Sequence, residues 1–171
     1  MTESALRTPP SATADEFRTM MSGFPTGVGI ITATDDDGAQ RGMTCSSVCS
    51  VSLDPPVLLV NLRHGSPTLD AVLQSGAFAV NLLHAGGRRA AELFASGNPD
   101  RFGLVRWAAD EDAAGAHLVQ DAHTIADCEV VLTQRMGDHV TVYGEARRIV
   151  RRAEQEPLLY GLRQFRDWPA A

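Results

Sequence analysis

The stretch "TIADCEVVLTQRMGDHVTVYGEARRIV", residues 124–150, constrains the fold of this chain more than any other. Two runs rich in β-branched residues flank "MGD", and runs of this kind that reverse at a glycine read as a long antiparallel hairpin. Further strands follow from the same signals. "TGVGIITAT" (26–34) is β-branched, "DDDG" (35–38) turns it, and the chain returns through "AQRGMTCSSV". Asp54-Pro55-Pro56 breaks the pattern before "VLLVNL" (57–62), and "AFAVNLL" (77–83) adds another buried strand. Helices are short. "TADEFRTMMSGF" offers Thr13 as N-cap and Gly23 as stop, with Phe17, Met20, Met21 and Phe24 at near-helical spacing. "SPTLDAVLQSG" offers Ser66, Pro67 at the first helical position and Gly76 as stop, and "GGRRAAELFASG" ends at Gly97. The C-terminal "EQEPLLYGLRQF" (154–165) is also expected to be helical, and the acidic, Ala-rich stretch up to Gly115 is left without an element. Strands outnumber helices, few strand-helix-strand units occur and no fixed-period repeat appears, so a mainly β fold with short helices, a β-barrel, is expected over a doubly wound sheet.

A chain of 171 residues supports one well-buried core, expected over 15–171 behind a flexible leader at 1–14. No apolar run reaches membrane-spanning length and the start lacks a signal-peptide pattern, so no membrane association and a cytoplasmic location are expected. The net charge of −6 and the absence of lysine give a nucleic-acid surface no support. Nucleotide and metal motifs fail on spacing. "GVG" (27–29) has Thr32 where a dinucleotide fingerprint needs glycine, and a phosphate loop needs the lysine this chain lacks. Cys45, Cys49 and histidines 64, 84, 117, 123 and 139 show no zinc-type spacing, so no metal is expected. No Gly-x-Ser-x-Gly nucleophile motif occurs either.

What remains is "GMTCSSVCSVSLDPP" (42–56). Alternation puts Thr44, Ser46, Ser50 and Ser52 on one face with Val48, and Cys45, Ser47, Cys49, Val51 and Leu53 on a second face that reads as core. Buried hydroxyls need partners. A hydroxyl-rich strand, a helix start at "SPT" and a histidine at a hairpin tip suit a phosphorylated, planar, hydrogen-bonding cofactor; the alternative is that neighbouring backbone satisfies the hydroxyls. Asn61 and Asn81 interrupt apolar strands and either border a pocket or satisfy local backbone.

In order along 15–162, "FRTMMSGFPTGVGIITA", "GMTCSSVCSVSLDPPVLLVNL", "SPTLDAVLQSGAFAVNLL", "FASGNPDRF", "GDHVTVYGEAR" and "PLLYG" together resemble the short-chain flavin reductase family, the reductase components of two-component flavin-dependent monooxygenases. The resemblance implies the FMN-binding split β-barrel. It implies that Pro25, Thr26, Gly27 and Val28, with Thr44, Cys45, Ser46 and Ser47, border the isoalloxazine and ribityl chain. Ser50, Ser52, Asp54 and Pro55 would shape the same wall, and Ser66 and Thr68 would hold the phosphate, Ser66 being also a simple N-cap. Arg101 and Phe102 of "DRF" would lie near the cofactor or a dimer contact. His139 in "GDH" would be the catalytic-site histidine beside the nicotinamide, acting first as a positioning group with its ring oriented by Asp138. Cys49 departs from the pattern, where an apolar or aromatic residue is more usual. The implied cofactors are FAD or FMN with NADH, NADPH being possible; the implied partners are a second copy in a homodimer and a monooxygenase that receives reduced flavin. Two other readings stay open: a flavin-binding or storage module, and a flavin oxidase of the pyridoxine-phosphate type.

Overall fold

The expected long hairpin forms as β7 (Ala122–Met136) and β8 (His139–Arg151), turning at Gly137 with φ of 59°, in a computed structural model that describes residues 11–152 and 155–168. Most of the expected leader, 1–14, lies outside the described residues. Five further strands extend the pair. They are β2 (Gly29–Thr34), β3 (Gln40–Cys45), β4 (Cys49–Leu53), β5 (Pro56–Arg63) and β6 (Ala77–Leu83). The seven run β3-β2-β6-β7-β8-β5-β4, each pair antiparallel. β3 and β4 are neighbours in the chain yet stand at opposite edges, so the sheet is not closed by hydrogen bonds. The expected mainly β fold with short helices is the observed one.

Side chains from the sheet feed two apolar clusters, and alternation decides which. Ile31 enters one with Val60, Leu62, Phe78, Val80, Val140 and Val142, sealed by Leu69 and Val72 of α2 (Pro67–Ser75). Val28 and Ile30 enter the other with Leu83, Ile125 and Leu158, covered by Ala90, Ala91 and Phe94 of α3 (Arg88–Ala95). Burying each branched side chain stabilises the fold by roughly 1.5–3 kcal/mol. Gly144 is needed in β8 because a Cβ there would stand 2.5 Å from Phe78 Cζ.

Three expectations are corrected. Of the stretch 154–165 expected to be helical, the described residues 155–165 are not: β9 (Leu159–Gly161) and β10 (Gln164–Arg166) form a hairpin that pairs with β1 (Thr26–Gly27) in a separate three-stranded sheet. Pro157 and Gly161 oppose a helix, and Tyr160 packs its ring 5.1 Å from Phe165 across the hairpin. The strand expected over 26–34 divides at Val28, whose N–H donates to Leu158 O at 3.2 Å. The second face of the 42–56 run is not core. Residues 46–48 leave the ladder, so Cys45 is buried while Cys49, Val51 and Leu53 (91% exposed) lie open on the bulged edge strand β4.

The unassigned stretch before β7 is a loop held to the sheet by polar groups, of which His117 and Asp127 are buried. Arg148 donates through Nε to Asp127 Oδ2 at 2.8 Å and through both terminal nitrogens to Asp110, while His117 Nε2 lies 2.8 Å from Asp127 Oδ1. Burial alone would raise the Asp127 carboxyl; hydrogen bonds from His117, the Ala114 N–H and Arg148 outweigh it and hold the group below its ordinary value. A folded-state pKa below the unfolded one means that this stabilisation is complete above about pH 4 and is lost as the pH falls through the folded value. Thermal melts of wild type and Asp127→Asn should therefore differ at pH 6 and converge on acidification; a pH-independent gap would show that the carboxylate charge is immaterial.

Candidate functional site

Where the chain leaves the sheet between β3 and β4, a cleft of about 850 Å³ opens. Ser46, Ser47, Val48, Cys49, Leu59 and Asn61 form one wall, and Thr26, Tyr160 and Arg163 a second. The third is α1 (Ala14–Ser22), which with the following loop presents Phe17, Arg18, Met21 and Phe24. A smaller cleft of about 490 Å³, lined by Val28, Thr44, Glu92 and Phe165, adjoins the first at Ser46, Tyr160 and Arg163, which line both. Apolar walls of this size with a few polar groups are what a drug-sized or larger planar ligand requires.

The hydroxyls divide sharply. Thr44 Oγ1 donates to Ala91 O at 2.6 Å, Ser47 Oγ donates to Asn61 O at 3.3 Å and accepts from Asn61 N at 3.2 Å, and Ser52 Oγ accepts from Asp54 N. Backbone therefore satisfies these three. Ser46 stands exposed where the clefts meet, and Thr26 lines the larger cleft while its Oγ1 is buried behind the surface with no hydrogen-bond partner among the described residues. Ser46 is thus the side-chain hydroxyl of this wall that stands open to a ligand. Such a wall fits a flavin ring, whose apolar faces and polar edge match it.

The other expected residues fall into groups. Pro25 and Gly27 flank Thr26, and Pro25 lies against Gly161, where an added Cβ would come within 3.3 Å of it. Cys45 sits behind the wall with Sγ 3.2 Å from Ser47 Oγ, and burial pushes its thiol up. Burial pushes Cys128 up as well, to about 12, so neither buried thiol is a nucleophile at neutral pH. Ser50, Ser52, Asp54 and Pro55 follow the edge strand β4 and its turn, beyond both clefts. Ser66 and Thr68 open α2, also outside the clefts: Ser66 Oγ accepts from Leu69 N at 3.2 Å as an N-cap, and Thr68 is buried. Phe102 packs edge-on against Phe94 at 5.0 Å, and Arg101 lies over the Phe94 ring, behind the helix that borders the smaller cleft. Burial, then the neighbouring Arg41 charge, holds the Arg101 guanidinium below its ordinary value.

His139 is placed by register. Leu59, Asn61 and Arg63 face Tyr143, Thr141 and His139 directly, and directly paired residues share a sheet face. Leu59 and Asn61 line the larger cleft, and Thr141 Oγ1 donates to Asn61 Oδ1 at 2.6 Å. His139 thus stands one same-face step beyond the cleft wall, with its side chain 45% exposed. Its Nδ1 lies 2.9 Å from Asp138 Oδ1, as expected, and this hydrogen bond chiefly holds the Asp138 carboxyl below its ordinary value. Nε2 is the ring nitrogen left for a ligand.

Sequence reasoning missed Phe17, Arg18 and Met21 on α1, Phe24 on the loop after it, and Tyr160, Arg163 and Phe165 on the C-terminal hairpin. The signal for α1 was present: its apolar residues keep helical spacing, yet none of its residues is buried. The turn of the hairpin carries strain. Leu162 (φ 50°) and Arg163 (φ 59°) are consecutive non-glycine residues in the left-handed region, each costing on the order of 1–3 kcal/mol. Among the described residues no three His, Cys, Asp or Glu side chains gather as a metal site.

Comparison with known proteins gives a consistent picture. The family model for the flavin reductase like domain matches residues 21–169. A flavin reductase (NADPH) from Lentzea aerocolonigenes is 51% identical over 156 residues, covering 91% of this chain and 91% of that protein. The NADH:FAD oxidoreductase of Streptomyces globisporus, solved in complex with NAD and FAD fragments, superposes with a TM-score of 0.84 at 30% identity, covering 91% of this chain and 92% of that one. The styrene monooxygenase flavin reductase of Pseudomonas putida superposes with a TM-score of 0.81 at 27% identity, covering 91% and 99% of the two chains.

Proposed function

Because this chain belongs to the flavin reductase-like domain family, we propose that its joined clefts hold a flavin and that it works as an NAD(P)H-dependent flavin reductase. It moves a hydride from the nicotinamide to FAD or FMN and supplies the reduced flavin to a separate monooxygenase, the arrangement in which the styrene monooxygenase reductase takes part. The observation that carries the reading is a cleft with apolar walls that continues into a second one, with the exposed Ser46 and the residues Tyr160 and Arg163 shared between them. The flavin, when bound, supplies the hydride-accepting chemistry. The protein supplies alignment. Ser46 would donate to a bound flavin, Phe17, Met21, Phe24 and Tyr160 would shield it from water, and Asn61 and Thr141 fix the floor that leads to His139. No proton donor or acceptor is strictly required for hydride transfer, so His139 orients the nicotinamide with Asp138 setting its ring.

A homodimer completes the site in this reading. α1 and the loop after it leave Phe17, Met20 and Phe24 (63% exposed) uncovered, and Leu53, Leu132 and Met136 are exposed on the sheet, apolar side chains that a second copy would cover. Three free cysteines and the absence, among the described residues, of a helix long and apolar enough to cross a membrane are compatible with a cytoplasmic protein.

Steady-state assays with FMN, FAD and riboflavin against NADH and NADPH test the reading. Oxidation of at least one nicotinamide should require added flavin, and sedimentation at micromolar concentration should show a dimer. Flavin binding without nicotinamide-dependent reduction would identify a storage module, and a fully active monomer would remove the homodimer.

A further inference from the structure

Building on the flavin reductase reading, we propose that Arg163 is the phosphate-recognition residue of the site, and that the strained turn carrying it serves to place its guanidinium where the two clefts meet. The charged side chains lining the clefts are Asp15, Arg18, Glu92 and Arg163. Asp15 pairs with Arg18 at 2.7 Å, and Glu92 pairs with Arg88 at 2.8 Å. Arg163 makes no ion pair or hydrogen bond with the described residues, and it lines both clefts. Among the described residues the cleft system therefore presents one uncompensated charge, and it is positive.

The backbone points the same way. The register of Gly161 against Gln164 leaves Leu162 and Arg163 as a two-residue hairpin loop with φ of 50° and 59°. Loops with positive φ at both positions prefer Asn-Gly. Leu-Arg runs against that preference, and packing does not explain it, since Leu162 is 73% exposed. The surroundings hold the turn in place: β9 is paired on both sides, by β1 and β10, and Leu162 N donates to Ser22 O at 2.6 Å. An arginine kept in an unfavourable conformation, with its side chain at the cleft junction, is explained by what the side chain binds. A guanidinium binds phosphate through paired N–H donors. Ser66 and Thr68, expected from sequence to meet phosphate, lie outside both clefts, so the anion has no other recognised receptor at the site.

Phosphate reaches such a site on the flavin or on the nicotinamide dinucleotide, and the test separates them. Equilibrium titration of FMN and of riboflavin, which lacks the phosphate, is compared for wild type, Arg163→Gly and Arg163→Lys, with KM values for NADH and for N-benzyl-dihydronicotinamide, which also lacks phosphate. Arg163→Gly suits the turn and should keep or raise the melting temperature. If the flavin phosphate is bound, this variant should weaken FMN by roughly ten- to a hundredfold and leave riboflavin unchanged, with lysine recovering part of the loss. If the dinucleotide phosphate is bound, the same loss should appear in the NADH KM and not with N-benzyl-dihydronicotinamide. Equal weakening of FMN and riboflavin, or no change with any ligand, would overturn the assignment while leaving the reductase reading intact. Wild-type protein that binds no flavin at all would overturn both.

Discussion

Replacing His139 by alanine is expected to lower kcat/KM for NADH by roughly ten- to a hundredfold while leaving flavin affinity nearly unchanged, the size of an alignment penalty and not the loss of an essential acid or base. The expectation follows from register. His139 lies beyond Asn61 on the cleft-bearing face, separated from the walls formed by Thr26, Ser46 and Tyr160. Asparagine at 139 keeps a polar group at the same point and should recover part of the rate. Asp138→Asn should act in the same direction but less, because the ring would exchange a charged acceptor at its Nδ1 for a neutral one and keep its place on β8. Stopped-flow reduction of pre-bound flavin separates the roles. An unchanged rate and KM would make His139 a solvated turn residue, and a loss confined to flavin binding would put the hairpin on the other side of the ring.

The largest loss of stability is expected from Asn81→Leu, about 2–4 kcal/mol, or roughly 5–15 °C in melting temperature for a chain of this size. Asn81 is fully buried in β6. Its Nδ2 donates to Ile30 O, Thr32 Oγ1 and Ala116 O at 3.1–3.2 Å, and its Oδ1 accepts from Leu118 N at 2.8 Å. Leucine matches the volume and removes every one of these bonds. It would leave the Leu118 N–H and the Ala116 carbonyl buried with fewer partners, and the loop that covers the second apolar cluster would loosen. Retention of the wild-type melting temperature would mean that packing alone holds this loop.

The two asparagines show how far the sequence could be read. Each interrupts an apolar strand, and nothing in "VLLVNL" or "AFAVNLL" distinguishes them, because what separates them is the neighbour each strand acquires in the sheet. β6 is an inner strand beneath the loop containing Ala116 and Leu118; β5 lies next to the edge, where residues 46–48 detach and open a cleft beside Asn61. The 124–150 hairpin, α2 with Ser66 and Gly76, and the buried strands were legible because their periodicity and punctuation are local. The hydroxyl run was legible as composition but not as geometry. A strand alternation assigns Ser46 and Ser47 to opposite faces, whereas the chain leaves the ladder there and both residues line the same cleft. The C-terminal hairpin was not legible at all. "LLYGLRQF" carries a helix-like spread of apolar residues, and only pairing with the two-residue strand β1 draws it into a sheet. Tyr160 and Arg163 were missed for that reason.

Anaerobic stopped-flow mixing of the protein and oxidised flavin with NADH or NADPH, following both chromophores at once, tests the central claim most directly. The account predicts that one flavin is reduced for each nicotinamide oxidised, with no nicotinamide consumed when flavin is omitted. Nicotinamide oxidation that proceeds without flavin, or bound flavin that stays oxidised with both nicotinamides, would contradict it.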